Sequence, residues 1–220
     1  MEIGALIFPN IDQMDFTGPF EVLSRLPGAR VHVLAKELLP VRDVAGLILT
    51  PTATLADAPA LDVLLVPGGI GQVALMDDEE VLSFVAKPVS WLFSVCTGAL
   101  TCGAAGLLRG RRATTHWNSL HLLPYFGATP VDERVVIHGN LISTAGVSAG
   151  IDGALRLAAL LSSESVAQRI QLDIQYAPEP PFGPASAETL EAARQAVNQV
   201  TAARLLAAQR VAARLGVTFT

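Results

Sequence analysis

Ser94-Val95-Cys96-Thr97-Gly98 closes an apolar, β-rich run and opens an Ala/Leu-rich one. A cysteine at such a sharp strand-to-helix turn is the counterpart of the serine nucleophile elbow. The turn holds the side chain clear of the backbone in a strained conformation, and the small residue Gly98 lets it close. The helix beyond it aims its first N–H groups at the sulfur, which favours thiolate. Lowering a thiol pKa from ~8.5 by about two units takes roughly 2.7 kcal/mol, a plausible demand on a helix end plus one hydrogen bond. The plainer alternative is that Cys96 is a small buried hydrophobe. That alternative suits Cys102, which lies inside the same helical stretch, off the face of its start and among Ala and Leu.

Two further stretches carry groups that could serve a nucleophile. Leu64-Leu65-Val66-Pro67-Gly68-Gly69-Ile70-Gly71 opens a buried strand into a glycine-rich loop. Without a Cβ in the way, its N–H groups can approach a ligand and form an oxyanion hole or anion nest. The loop lacks the Lys-Ser/Thr of a P-loop, and it reads equally as a tight turn needing positive φ. Asp15 sits between the first strand and the first helix with Met14 and Phe16 as neighbours. It is either a surface or capping carboxylate, or one whose desolvation raises its pKa and suits it to acid/base work. Gly18, next to Pro19, fits the cap position better than Asp15. Asp15, Gly68-Gly69 and Cys96 each lie just past the carboxyl end of an expected strand, where parallel sheets bind their ligands, so one crevice is expected to hold all three.

The histidines add less. His32 lies inside a strand and His138 at a hairpin, both read as structural. His116 precedes Trp117 at a helix start and is a candidate pocket residue. None has the i, i+4 spacing of a zinc protease, and no metal is expected. Arg109-Gly110-Arg111-Arg112 reads as a solvated basic turn.

The elements that must position these groups alternate along the chain. Strands are expected at Ile3–Phe8, Arg30–Ala35, Leu61–Val66 and Val89–Val95, with a Gly139-Asn140 hairpin joining Val135–His138 to Leu141–Thr144. Gly46–Thr50 is expected to pair near Leu38–Val41. Helices are expected from Pro19 to about Leu26, then at Asp77–Phe84, Gly98–Leu108, Asn118–Tyr125, Ser148–Leu161 and Ser163–Gln175. A Pro-rich break at Pro178–Pro184 precedes one long helix or two over Ala187–Leu215. The order implies an α/β sandwich on a mainly parallel sheet. Residues 1–220 read as a single domain, because the segment beyond Pro178 is too short for its own core and serves as a helical appendage (178–220).

The composition sets the limits. The 220 residues are 51% hydrophobic and 16% charged, which excludes a disordered chain. A net charge of −5 argues against a generally basic nucleic-acid binder. Two cysteines are too few for a disulfide framework, and a reducing cytoplasm is the default. The N-terminus has no positive n-region, and Pro9-Asn10 interrupts its apolar run. Pro88–Leu108 is uncharged and long enough to span a bilayer, but its Pro, Gly, Ser and Thr content reads as a buried strand followed by a buried helix, with no membrane association.

Several runs together resemble the PfpI-like branch of the class I glutamine-amidotransferase-like superfamily. They are Asp15-Phe16-Thr17-Gly18-Pro19, Val66-Pro67-Gly68-Gly69, Ser94-Val95-Cys96-Thr97-Gly98, Arg112-Ala113-Thr114-Thr115-His116-Trp117, Ala149-Gly150-Ile151-Asp152, Ala167-Gln168-Arg169-Ile170-Gln171-Leu172 and Tyr176-Ala177-Pro178-Glu179-Pro180-Pro181-Phe182. The resemblance implies a flavodoxin-like homodimer with Cys96 as nucleophile, Asp15 as essential acid and Thr97 as assisting hydroxyl, and no cofactor. The implied reaction is hydration of a small-molecule isonitrile, R–NC, to an N-substituted formamide, with charge on the adduct assigned to the Gly69 and Ile70 N–H groups. Peptidase-type members have His directly after the nucleophile; Thr97 stands there instead, so the Cys-His pairing of protein hydrolysis is absent at that spot. The alternatives are a small-molecule sensor or chaperone-like module, as in transcription factors that add a helix-turn-helix segment, and an enzyme acting on glyoxals or glycated groups.

Overall fold

A computed structural model of the chain describes residues 1–218. The first half runs β1 (Glu2–Leu6), α1 (Gln13–Leu23), β2 (Arg30–Ala35), β3 (Val41–Arg42), β4 (Ile48–Leu49), β5 (Ala53–Thr54), β6 (Val63–Val66), α2 (Gln72–Leu75), α3 (Glu79–Val85), β7 (Trp91–Val95) and α4 (Gly98–Ala104). The second half runs β8 (Arg112–Ala113), a 3-10 helix (Trp117–Phe126), β9 (Thr129–Pro130), β10 (Val135–His138), β11 (Leu141–Thr144), α5 (Ala149–Leu161), α6 (Glu164–Asp173), α7 (Ala187–Ala196) and α8 (Asn198–Leu215).

The continuous apolar runs lie in the middle of a seven-stranded sheet, ordered β10-β11-β7-β6-β1-β2-β5. Every pairing in it is parallel except the β10–β11 hairpin. All four residues of β6 and of β11 are buried, as are the last four of β1 and of β7, because helices cover both faces. One helical group consists of α1, α5 and α6; a second gathers α2, α3, α8 and the 3-10 helix around α4, which rests on β6 and β7. The fold is a flavodoxin-like α/β sandwich with a mainly parallel sheet. Pro88–Leu108 contributes β7 and α4 to its interior, and no helix among the described residues is long and apolar enough to cross a membrane.

Several expectations are corrected in detail. The first helix begins at Gln13, not Pro19, because Asp12 caps it: its side chain accepts from Met14 N at 3.2 Å. Asp15 therefore lies in the first turn of α1, and Pro19 lies inside the helix, where it has no N–H to offer the Asp15 carbonyl. The helix after Cys96 stops at Ala104 rather than Leu108, with Gly106 at φ +81 just beyond. The segment after the basic turn is 3-10 rather than α, with Pro124 inside it. The expected Asp77–Phe84 helix starts at Glu79, capped by Asp78, and is preceded by the unforeseen short α2. The Ala/Arg/Gln-rich tail keeps its expected bounds and forms the second of the two arrangements foreseen for it, two helices that meet at Val197.

Candidate active site

The ends of three adjacent strands build the site. β1 leads into the first turn of α1 and delivers Asp15, β6 leads into Pro67-Gly68-Gly69, and β7 leads into Cys96. The crevice therefore lies at the carboxyl edge of the sheet, and the structure brings Asp15, Gly68, Gly69, Cys96 and Thr97 together there.

Cys96 adopts φ +56, a left-handed conformation that a side-chain-bearing residue rarely holds. Its surroundings enforce it. The Cys96 N–H is shared between the Thr144 and Ala145 carbonyls at 3.2 and 3.0 Å, and Thr115 Oγ1 donates to the Cys96 carbonyl at 2.7 Å. The turn also needs Gly98: a Cβ there would fall 2.0 Å from the Val66 carbonyl oxygen at the end of β6. The cysteine is 6% exposed, so the elbow holds it almost enclosed at the carboxyl edge of the sheet.

The glycine loop binds the site side chains through its backbone. Gly68 N–H donates to Asp15 Oδ2 at 2.9 Å, and Gly69 N–H donates to Thr97 Oγ1 at 3.2 Å. A Cβ at Gly68 would stand 2.5 Å from Thr97 Oγ1 and 2.9 Å from Asp15 Oδ2. The loop is itself stitched to the β1–α1 connection, where Asp12 N–H donates to the Gly68 carbonyl at 3.0 Å. Ile70 is half exposed, and its N–H donates to none of the site side chains.

The electrostatics centre on a carboxyl and a thiol. Asp15 is completely buried, and loss of hydration, reinforced by the charge of Asp12, pushes its pKa up to about 7 against the pull of the Gly68 hydrogen bond. Its Oδ1 meets no donor in good hydrogen-bonding geometry, although the Cys96 thiol lies near enough to act on its titration as a donor. Burial and then the Asp15 charge push the Cys96 thiol well above its ordinary range. The expectation that the helix start makes Cys96 a thiolate at rest is therefore corrected: the Thr97 N–H and the charge of Arg204 favour thiolate, and both are outweighed. Cys102 is fully buried with its thiol pushed up to about 12, in keeping with a core role.

His116 stands at the rim. Its Nδ1 pairs with Asn118 Oδ1 at 2.7 Å, its ring packs against Gly146 beside the Ala145 carbonyl that holds Cys96, and burial lowers its pKa. A cleft of about 640 Å³ opens beyond it, lined by Trp117, Leu120, His121 and, from α7 and α8, Arg194, Val197 and Thr201. Neither this cleft nor a larger one of about 1040 Å³, around Arg134, Asp152 and Tyr176, is lined by Asp15, Gly68, Gly69, Cys96 or Thr97. His32 pairs with Glu2, and His138 Nδ1 accepts from Arg112 N at 2.9 Å; both are structural.

One site residue comes from the tail. Arg204 of α8 is buried, and its Nη2 donates to the Gly69 carbonyl at 3.1 Å. Its only sequence signal is phase: Arg204, Ala207, Ala208, Val211 and Ala212 recur at helical spacing and form the buried stripe of α8.

These features define an α/β protein with a cysteine at a nucleophile elbow and a carboxyl from a neighbouring loop. The chain belongs to the DJ-1/PfpI family, whose model matches residues 1–160. It is 50% identical over 196 residues to isonitrile hydratase from Pseudomonas putida, covering 88% of this chain and 86% of that one. It is 30% identical over 165 residues to the HTH-type transcriptional regulator GbdR of Pseudomonas aeruginosa, covering 70% of this chain and 45% of the regulator. Among solved structures, a ThiJ/PfpI family protein from Pseudomonas syringae superposes with a TM-score of 0.87 at 39% identity, over 96% of this chain and 90% of that one.

Proposed function

We propose that this chain hydrates isonitriles, R–NC, to N-substituted formamides, with Cys96 as nucleophile and Asp15 moving the protons. The reading is carried by one observation: a thiol and a desolvated carboxyl face each other at an elbow in a chain half identical to isonitrile hydratase. Near neutral pH the pair holds one proton between them in its active form. Asp15 takes the thiol proton as sulfur bonds to the terminal carbon, then gives it to the lone pair formed on that carbon. The product is the thioimidate R–N=CH–S–Cys96. Water adds to the same carbon, its oxygen forming the new bond while Asp15 relays a proton to nitrogen. The C–S bond then breaks, the hydroxyl proton returns to the thiol through Asp15, and R–NH–CHO leaves. Thr97 Oγ1, oriented by Gly69, positions Cys96 or the water. Charge on the adduct is assigned to the N–H groups of Gly69, shared with Thr97, and Ile70. The R group has few polar handles and calls for an apolar wall.

The test is turnover of an alkyl isonitrile, with the formamide followed by mass spectrometry, for wild type, Cys96→Ser and Asp15→Ala. Formamide from wild type alone supports the reading; unchanged turnover in either variant defeats the mechanism. The match to a regulator motivates one competitor, a small-molecule sensor, which tight ligand binding without turnover would favour. We further infer a cytoplasmic homodimer acting without metal or cofactor, with residues 178–220 forming part of the same working unit. Sedimentation equilibrium tests the dimer.

A further inference from the structure

We propose that Arg204, supplied by the C-terminal helix, is a positioning residue of the site: it clamps the Gly69 carbonyl and sets a fixed positive charge against the Cys96–Asp15 pair. Arg204 is 6% exposed, which is costly for a charged group unless something nearby compensates it. Its formal hydrogen bonds are sparse: Nη2 to the Gly69 carbonyl at 3.1 Å and Nη1 to Ser119 Oγ at 3.5 Å, with Nε unpaired. None of these partners is anionic. The compensating charge is the site itself, since the one negative charge that the Asp15–Cys96 pair carries acts on the guanidinium and is favoured by it.

The clamp has a geometric effect as well. Gly69 holds the Thr97 hydroxyl with its N–H and Arg204 with its carbonyl, and the preceding N–H holds Asp15. Fixing the Gly69 carbonyl orients the Gly69–Ile70 peptide and so restrains the loop whose two preceding peptides hold Thr97 and Asp15. The charged and titratable groups facing the pair are Asp12 at the cap of α1, Asp15 itself and Arg204; His116 faces Arg204 and Asp12 from the rim. Arg204 is the one permanently positive member of that set.

The inference about catalysis rests on the proposed hydration, so the deciding experiment has a readout that does not need it. The rate of Cys96 alkylation by iodoacetamide is measured against pH for wild type, Arg204→Gln and Arg204→Lys, with folding checked by circular dichroism and thermal melting. Arg204→Gln, which keeps an amide donor and removes the charge, is expected to raise the alkylation midpoint by about one pH unit, while Arg204→Lys stays near wild type. With an alkyl isonitrile, Arg204→Gln is expected to lower kcat about tenfold or more with KM little changed. A folded Arg204→Gln with the wild-type midpoint overturns the proposal, as does an Arg204→Lys midpoint displaced as far as that of Arg204→Gln. If Arg204→Gln does not fold, Arg204→Lys alone decides: a wild-type midpoint with several-fold lower kcat supports the role, and wild-type kcat overturns it. If wild type turns over no isonitrile, the hydration reading fails and the alkylation profiles still judge Arg204. If Arg204→Lys also fails to fold, the residue is a fold determinant and the positioning role is overturned.

Discussion

The Gly68 N–H meets Asp15 Oδ2 at 2.9 Å, while Oδ1 of the same carboxyl is buried without a hydrogen-bond partner. One oxygen is thus anchored by the backbone and the other left to exchange a proton. On the proposed mechanism this one carboxyl shapes the response of both stability and activity to pH.

Asp15 destabilises the folded state when it is ionised. Its pKa is near 7 folded and 3.8 in its ordinary state, so the native protein holds the proton more tightly than the unfolded chain. Its contribution is most favourable below pH 3.8 and is lost as pH rises to 7. Asp15→Asn removes this dependence, and Asn can still accept from Gly68. The stability of Asp15→Asn relative to wild type should grow by roughly 2–3 kcal/mol between pH 5 and 7 and level off above, as read from urea melts across that range. A constant difference would show that Asp15 titrates normally.

With Asp15 as the proposed base, the same carboxyl is expected to set the acid limb of activity. Below about pH 7 both members of the pair are protonated, and no base remains to take the thiol proton. For alkyl isonitrile hydration, kcat/KM should fall about tenfold per pH unit well below 7 and show no alkaline loss until the raised Cys96 thiol ionises. Initial rates between pH 5 and 9 give the profile.

Gly68→Ala tests the close approach of the loop. Its Cβ would be 2.5 Å from Thr97 Oγ1 and 2.6 Å from Thr97 N, contacts that only backbone movement relieves. The substitution should cost about 1–3 kcal/mol of stability, and kcat should drop more than KM changes because both Asp15 and Thr97 are displaced. Thermal melts and steady-state kinetics separate the two effects.

Thr97→Val leaves the buried Gly69 N–H without the hydroxyl that accepts it. The cost should be about 1–3 kcal/mol, and Thr97→Ser should recover most of it, as measured by denaturant unfolding. Turnover should follow the same order if the hydroxyl positions the water or the thiol.

The two cysteines should separate cleanly by chemistry. Burial raises both thiols, but Cys96 keeps 6% of its surface exposed at a strained turn, whereas Cys102 is fully enclosed inside α4. Iodoacetamide at pH 8 should label Cys96 alone in the native protein and both in guanidinium chloride, as peptide mass spectrometry will show.

Much of this site is legible in the chain because sheet edges and turns obey local rules. An apolar run that ends in Cys-Thr-Gly can hardly be other than a strand turning into a helix, and three such strand ends in a parallel sheet meet at one edge. The start of α1 misleads because Pro19 has the look of a first helical residue, whereas Asp12 caps earlier and the helix absorbs the proline. The state of the Cys96 thiol is not legible, since it depends on how deeply the sulfur sinks and on charges from two other elements. Arg204 is hidden for a related reason: arginines on an Ala/Gln-rich helix usually face water, and only the packed fold reveals which one is turned inward.

Gly69 and its arginine partner are 135 positions apart in the chain. During synthesis that carbonyl must wait, its sheet already emerged, until α8 leaves the ribosome and docks. The surroundings of Cys96 are thus completed only late in translation, when the last helix closes over the glycine loop.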